Sequence, residues 1–412
     1  MNQIRYRSAV SPLRRSLEAR RPAAPLPNVD ATVAALRPAE PLHCLRPAVL
    51  KATARRFVSA FAAAVGGDVL YAVKCNPDPA VIRHLWAGGV RHYDCASPAE
   101  VRLIRSMYPQ AAIHYMHPVK NRAAIRTAYH EMGVRDFALD SQEELGKLLE
   151  ETGYADDLGL IVRLALPKGT ATYDLSGKFG APFDTAVALL RAARVVGARI
   201  GVSFHVGSQC MDPEAYVDAL AIAGTVIRAA GVPVDIVDVG GGFPVSYPDM
   251  TPPDLDLYIA AIKRGVAALG LPAGTRVWCE PGRALVAAGG SLVVQVERVR
   301  GDELFINDGV YGSLSDAGVP AWRFPCRLIR PDDGAAAAGT KAWTFWGPTC
   351  DSADRMKGPF HLPADIREGD WIEIGQLGAY GGTLRTAFNG FDQARIVEVA
   401  DAPLLETPGH LG

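Results

Sequence analysis

Val69-Leu70-Tyr71-Ala72-Val73-Lys74-Cys75-Asn76-Pro77 is an apolar, strand-like run that ends on a lysine and is stopped by a proline three residues later. Burying an ammonium is costly unless the group is paired, deprotonated or covalently used. A desolvated lysine gives up its proton easily and becomes an amine nucleophile able to form a Schiff base with an aldehyde. The same side chain can also snorkel from the strand end to water. This segment alone leaves both readings open.

Outward from it, β-type runs alternate with amphipathic stretches over residues 67–283. The strands are expected at Asp68–Lys74, Val90–Cys95, Ala111–Tyr115, Val134–Leu139, Leu160–Leu164, Arg199–Val206, Val234–Val239 and Arg276–Glu280. Asp212-Pro213-Glu214 predicts a helix start, with proline at the first helical position, and Gly231 its end. A second helix is expected from Asp184, carrying Val187, Leu190, Ala193 and Arg194 before Gly197. Eight strands alternating with helices predict a (β/α)8 barrel rather than an open sheet. On that fold chemistry sits at the C-terminal strand ends, and these carry Lys74, Asp94, His117, Asp140, Arg163, His205, Gly240-Gly241-Gly242, Glu280 and Arg283. Asp140, before Ser141, also suits a capping role.

After Arg283 the pattern changes to strand-like runs with Gly/Pro-rich turns, among them Leu292–Val299, Trp343–Trp346, Trp371–Ile374 and Ala394–Val399. They predict a β domain, which the stretch Pro41–Val49 joins as a strand. The expected divisions are an arginine-rich arm over 1–38, the joining strand over 39–50, the barrel over 51–288 and the β domain over 289–412. Ala335–Ala338 reads as a loop. The 412 residues hold 43 basic and 44 acidic side chains, so no global field recruits nucleic acid or a membrane. No run approaches the ~20 apolar residues of a membrane span. Seven cysteines without C-x-x-C or metal-like clustering suggest reduced thiols in the cytoplasm and no metal site. Arg5, Arg7, Arg14, Arg15, Arg20 and Arg21, against Glu18 alone, resemble a transit peptide without an apolar core, or a mobile arm.

The glycine triplet follows the apolar strand Ile236-Val237-Asp238-Val239 and lets the backbone approach an anion closely. Barrels commonly hold phosphate in the loops after strands seven and eight, and strand eight here ends Glu280-Pro281-Gly282-Arg283. A Schiff-base lysine and a phosphate cradle on one rim imply pyridoxal 5'-phosphate. Glu280 would then keep the pyridine nitrogen protonated, and His205 would stack on the ring.

Here the chain resembles the alanine-racemase-fold (fold type III) pyridoxal-phosphate decarboxylases of basic amino acids, the ornithine and lysine decarboxylases. The resemblance runs from Pro41 to Val399. It rests on Y-A-V-K-C-N (71–76), D-C-A-S (94–97), S-F-H-V-G-S (203–208), G-G-G-F-P (240–244), E-P-G-R (280–283), N-D-G-V-Y-G-S (307–313), W-G-P-T-C-D (346–351), G-A-Y (378–380) and F-N-G-F (388–391). It implies a decarboxylase of a basic L-amino acid that forms a polyamine-type diamine. Lys74 is implied as the Schiff-base residue and His205 as the stacking residue. Ser208, Gly241, Gly242, Gly282, Arg283 and Tyr380 are implied at the phosphate, Glu280 at the ring nitrogen, and Asp94 and Arg163 at the cofactor rim. Cys350 would reprotonate the α-carbon and Asp351 would grip the distal amine, both reaching the site from the partner of a homodimer. Tyr311, Phe388 and Asp316 are implied on the substrate side. Residues 166–182 resemble a mobile loop near the shared site, and Lys178 and Asp354 match positions that pair across the interface. For exposed ion pairs the alternative is simple solvation.

The chain departs from the ornithine-type pattern where a second tail-binding acid is expected, since Val319-Pro320 stand there and Asp316 lies too early. Diaminopimelate decarboxylases are the nearest rival, but they usually carry Glu where this chain has Asp351. An alanine racemase would place Arg, not Glu280, at the pyridine nitrogen. An inactive regulatory homologue would have lost cofactor contacts that this chain keeps.

Overall fold

The computed structural model describes residues 25–169, 171–172, 177–318, 320–332 and 339–410. The arginine-rich stretch before residue 25, part of the 166–182 loop, Val319 and the alanine run lie outside them. The chain divides into two compact units, one of residues 48–246 and 250–287, the other of the segment up to Pro47, Tyr247–Asp249 and the chain from Ala288 onward.

Strand β1 (Leu42–Leu45) belongs to the second unit. The first unit is a closed barrel of eight parallel strands: β2 (Asp68–Ala72), β3 (His92–Cys95), β4 (Ala112–Tyr115), β5 (Asp136–Leu139), β6 (Gly159–Arg163), β7 (Arg199–Ser203), β8 (Ile236–Asp238) and β9 (Arg276–Cys279). Each pairs with the next, and β2 closes on β9 through Asp68↔Trp278 and Val69↔Cys279. Leu70, Met116, Ala138, Ile161, Ile236 and Trp278 fill one buried cluster. Strands covered on both faces read as near-continuous apolar runs, which is why the alternation was visible in the sequence. At the strand starts, His92 Nδ1 and His114 Nε2 lie 3.0 Å apart, and Asp136 holds His114 Nδ1 at 3.0 Å and Arg199 at 2.6 Å. That end of a barrel serves stability.

The ladders stop earlier than expected. β2 ends at Ala72, and Lys74 stands on the 3-10 turn Val73–Cys75 rather than on the strand. β7 ends at Ser203 instead of Val206, because the chain turns and His205 Nδ1 takes the Gly207 N–H at 3.0 Å. The helix expected from Asp212 begins at Glu214, where Asp212 Oδ1 accepts the Glu214 N–H at 3.0 Å, and ends at Gly231 in left-handed backbone (φ 67°). The helix expected from Asp184 begins one residue earlier, at Phe183.

The second unit is a mixed sheet of β10 (Gly290–Arg300), β11 (Glu303–Ile306), β12 (Cys326–Ile329), β13 (Thr340–Trp346), β14 (Arg355–Pro363), β15 (Trp371–Ile374) and β16 (Arg395–Glu398), in the order β12-β15-β10-β11-β13-β14. β1 joins it, antiparallel to β10 and parallel to β16. Within the stretch expected as an arm, residues 29–36 form a helix capped by Asn28, whose Oδ1 takes the Ala31 N–H at 2.7 Å. Its Val29 and Val33 are buried with Leu42, Val293, Ile329 and Trp371, so apolar burial outweighs the basic composition that precedes it. Beside that core Arg46 and Glu373 form a buried pair at 2.7 Å, and Arg327 meets the other Glu373 oxygen at 2.7 Å. Among the described residues no helix is long and apolar enough to cross a membrane.

Candidate active site

Lys74, Asp94, Arg163, His205, Gly241, Gly242, Glu280, Gly282 and Arg283 all lie at the C-terminal ends of the barrel strands or just past them. Lys74 Nζ is 3.1 Å from Asp94 Oδ2, with the lysine half exposed and the aspartate buried. Of the ways to hold a lysine at a strand end, the structure uses pairing, and the turn after β2 keeps the amine within reach of an incoming carbonyl.

Glu280, one residue past β9, is 5% exposed, and its backbone N–H donates to Gly240 O at 2.8 Å. Burial, then the carboxyls of Asp238 and Asp94, push it well above the usual carboxylate range, while Lys74 and Arg163 pull the other way. Asp238, the last residue of β8, is wholly buried and is pushed up to about 6 chiefly by burial. Its Oδ1 accepts the Gly240 N–H at 2.8 Å. Burial thus disfavours the charged forms of Glu280 and Asp238, and a cation placed against Glu280 would relieve that.

The glycines form the matching concavity. Gly240 and Gly242 have φ of 69° and 102°. A Cβ on Gly240 would sit 2.0 Å from Phe204 O, and one on Gly242 2.4 Å from Gly207 O, so a side chain at either would push the S-F-H-V-G-S and G-G-G-F-P loops apart. Tyr216 Oη donates to Gly241 O at 2.8 Å, and Gly242 O accepts the Cys210 N–H at 2.9 Å, which fixes the strip. Ser208 is half-buried in the adjoining turn, and Arg283 is buried. The ring of His205 lies against Gly241, since a Cβ there would be 3.0 Å from Nε2. Burial, then Arg163 and Lys74, hold this imidazole well below its ordinary pKa and keep it neutral. A cavity of about 330 Å³ opens beside it, with Arg163, Lys168 and Phe179 in the wall. The donor set and the cradle together fit pyridoxal phosphate.

The other expected residues lie on loops of the β unit. Cys350 is exposed, unlike the six other cysteines, which are buried. It lines a cavity of about 700 Å³ together with Asp351, Trp346 and Phe391. Asp351 Oδ1 accepts the Ala353 N–H at 2.9 Å and Oδ2 the Tyr311 hydroxyl at 2.5 Å, and these bonds hold its carboxyl below the usual range. Tyr311 packs against Phe388 with ring centroids 5.0 Å apart. Tyr380 stands in left-handed backbone (φ 59°) in the same unit, and Asp316 lies on a short helix, Ser315–Gly318.

Asp354 departs from the solvated alternative, being 1% exposed and accepting three hydrogen bonds inside its own chain. Lys178 sits over the Phe179 ring at 5.1 Å. The 166–182 loop is tied at its return by Asp140 Oδ2, which accepts the Gly180 N–H at 2.9 Å. Sequence reasoning missed Asp238, whose signal was a carboxylate inside the otherwise apolar run Ile236-Val237-Asp238-Val239. It also missed Asp308 and Arg385, a buried pair at 2.6 Å that braces the N-D-G-V-Y-G-S turn.

Residues 48–287 match the family model described as pyridoxal-dependent decarboxylase, pyridoxal binding domain. The lysine/ornithine decarboxylase of Selenomonas ruminantium is 33% identical over 344 residues, covering 81% of this chain and 84% of the relative. The Vibrio vulnificus lysine/ornithine decarboxylase, solved with putrescine, superposes with a TM-score of 0.76 at 30% identity over 90% of this chain and 97% of that one. The arginine decarboxylase of Paramecium bursaria Chlorella virus, solved with agmatine, gives a TM-score of 0.77 at 26% identity, covering 90% of this chain and 100% of that one. A family match over the whole barrel, with a third of residues shared along most of the chain, carries the conclusion that this protein belongs to the fold type III pyridoxal-phosphate-dependent decarboxylases of basic amino acids.

Proposed function

We propose that this decarboxylase acts on an L-amino acid whose tail ends in a cation of the ornithine, lysine or arginine class, and releases CO2 and a polyamine-type amine. The observation that carries this reading is the Lys74 amine paired with buried Asp94 beside buried Glu280, which Asp238 adjoins. Pyridoxal phosphate, when bound, supplies the electron sink for the bond to the departing carboxylate. Lys74 would hold the aldehyde. Ser208, Gly241, Gly242, Gly282 and Arg283 would hold the phosphate. Glu280 would supply the charge for the ring nitrogen, and neutral His205, which lies against Gly241, would stack on the ring.

Cys350 delivers the proton to the α-carbon, and Asp351, with Tyr311, Phe388 and Asp316 on the substrate side, receives the tail cation. An aromatic pair beside an ionised carboxylate suits an ammonium or a guanidinium. In this reading Cys350 and Asp351 serve the cofactor of a second subunit, so the working unit is a homodimer. Seven cysteines without C-x-x-C or framework spacing support a reducing, cytoplasmic setting.

Borohydride reduction of the holoenzyme followed by peptide mapping is expected to find the cofactor on Lys74; attachment elsewhere would sink the assignment. CO2 release measured across ornithine, lysine, arginine and diaminopimelate ranks the tails, and a preference for diaminopimelate would replace the proposed class. Mixing Lys74→Ala with Cys350→Ala subunits should restore activity that neither has alone. No recovery would argue against shared sites.

A further inference from the structure

The loop that carries Cys350 and Asp351 is held by side chains outside the chemistry. Asp354, 1% exposed, takes the Val310 N–H on Oδ1 at 2.8 Å, and the Thr349 N–H and hydroxyl on Oδ2 at 3.1 and 2.8 Å. One carboxylate therefore clasps two loops, N-D-G-V-Y-G-S and W-G-P-T-C-D. Two glycines make the clasp possible. A Cβ on Gly309 would fall 2.1 Å from Asp354 Oδ1, and one on Gly347 2.2 Å from the same atom. The backbone closes the ring, with Gly347 N–H on Asp354 O at 2.8 Å and Asp354 N–H on Asp351 O at 3.0 Å.

The other flank of Cys350 is held by Asn389. Its Oδ1 accepts the Cys350 N–H at 3.1 Å, and its backbone stands at φ 53°, a left-handed conformation that Asn tolerates better than most residues. Cys350 is thus fixed from Thr349 on one side and at its own N–H on the other, while Tyr311, next to Val310, reaches Asp351.

We infer that Asp354 and Asn389 are positioning residues for the Cys350–Asp351 loop. The inference rests on the proposed role of Cys350 as proton donor. A proton transfer needs its donor within hydrogen-bond reach, and a misplacement of about 1 Å can lower the rate by ~10²-fold.

The test compares wild type, Asp354→Asn, Asn389→Ala and Cys350→Ala as holoenzymes. Three readouts are used: kcat and KM, CO2 released per amine formed, and the iodoacetamide alkylation rate of Cys350. In Asp354→Asn one oxygen becomes an amide NH2 that meets an N–H or O–H donor. We expect kcat to fall ~10- to 10²-fold with KM within about threefold, as for a lost transition-state interaction. CO2 should exceed amine, and alkylation should change several-fold. Asn389→Ala, which leaves the buried clasp intact and keeps the test open if Asp354→Asn fails to fold, should move the same readouts in the same direction by less. Unchanged CO2-to-amine ratio and alkylation in both variants would overturn the inference. If Cys350→Ala keeps amine equal to CO2, the proton-donor reading fails by itself, and the alkylation rates still decide whether the loop is positioned.

Discussion

The barrel rim and the loops of the β unit hold their functional groups by opposite means. At the rim the acids are buried, and burial sets their chemistry, pushing Glu280 and Asp238 up and His205 down. On the β-unit loops Cys350 is exposed, and Asp351 is held low by two hydrogen bonds rather than by burial. The rim stores electrostatic stress that the ring cation of a bound cofactor would relieve, whereas Cys350 and Asp351 carry no such stress and depend on geometry. Substitutions at the rim should therefore trade activity against stability. Those at Cys350, Asp351 and Tyr311 should change activity with little effect on stability.

Lys74→Ala should show the largest effect. Removing the amine that holds the cofactor is expected to lower kcat by roughly 10³- to 10⁶-fold, the scale set by loss of a covalent catalyst. Borohydride should then fix no cofactor. Retention of more than a small part of the turnover would break the contrast at its strongest point.

Glu280→Gln separates the two halves of the rim's behaviour. Loss of a preorganised charge at a developing transition state lowers kcat by about 10²- to 10³-fold. The same change removes a carboxyl that burial disfavours in its charged form, so the apoprotein should gain stability at neutral pH, measured as a higher denaturant midpoint. A loss of both would show that Glu280 is structurally paired rather than stressed.

Asp238→Asn tests the same stress through pH. The Asp238 carboxyl lies near 3.8 when unfolded and about 6 when folded. A raised folded value means the native state binds the extra proton, so the stability this group contributes is complete below the unfolded value and lost as pH rises through the folded one. Apoprotein stability should therefore fall between pH about 4 and about 6, and Asp238→Asn should flatten that slope. The amide oxygen can still accept the Gly240 N–H, so the drop in kcat should be smaller than for Glu280→Gln. An unaltered slope would assign the titration to another group.

The same contrast explains what the sequence disclosed. Lys74, the glycine triplet and Glu280 each follow an apolar run, because parallel barrel strands are buried on both faces and punctuated where chemistry begins. Asp238 escaped notice because it sits inside such a run, Ile236-Val237-Asp238-Val239, and reads as part of the strand. The strand ends were placed up to three residues late, since a chain leaving the ladder keeps its apolar composition while it turns, as Phe204 and Val206 do after β7. On the loops, the family motifs marked Cys350 and Asp351, but spacing did not reveal what holds them. Asp354 and Val310 are 44 positions apart, and only Gly309 and Gly347 hinted that something must come close.

Tyr311→Phe is the smallest change and the sharpest test of the loop half. The hydroxyl donates to Asp351 Oδ2 at 2.5 Å, while the ring keeps its place against Phe388. Removing the oxygen takes one hydrogen bond from a half-buried carboxylate, and water can replace it, so stability should hardly shift. The Asp351 carboxyl should move up toward its ordinary range, because the Tyr311 bond is the second cause holding it down and the Ala353 N–H remains. It stays ionised at neutral pH, so charge recognition of the tail survives and only orientation is lost. The expected result is a rise in KM of ~3- to 10-fold for a basic substrate, equivalent to one hydrogen bond, with kcat nearly constant. A drop in stability as large as a core substitution produces would mean that the loop, like the rim, is held by burial, and the contrast would fail.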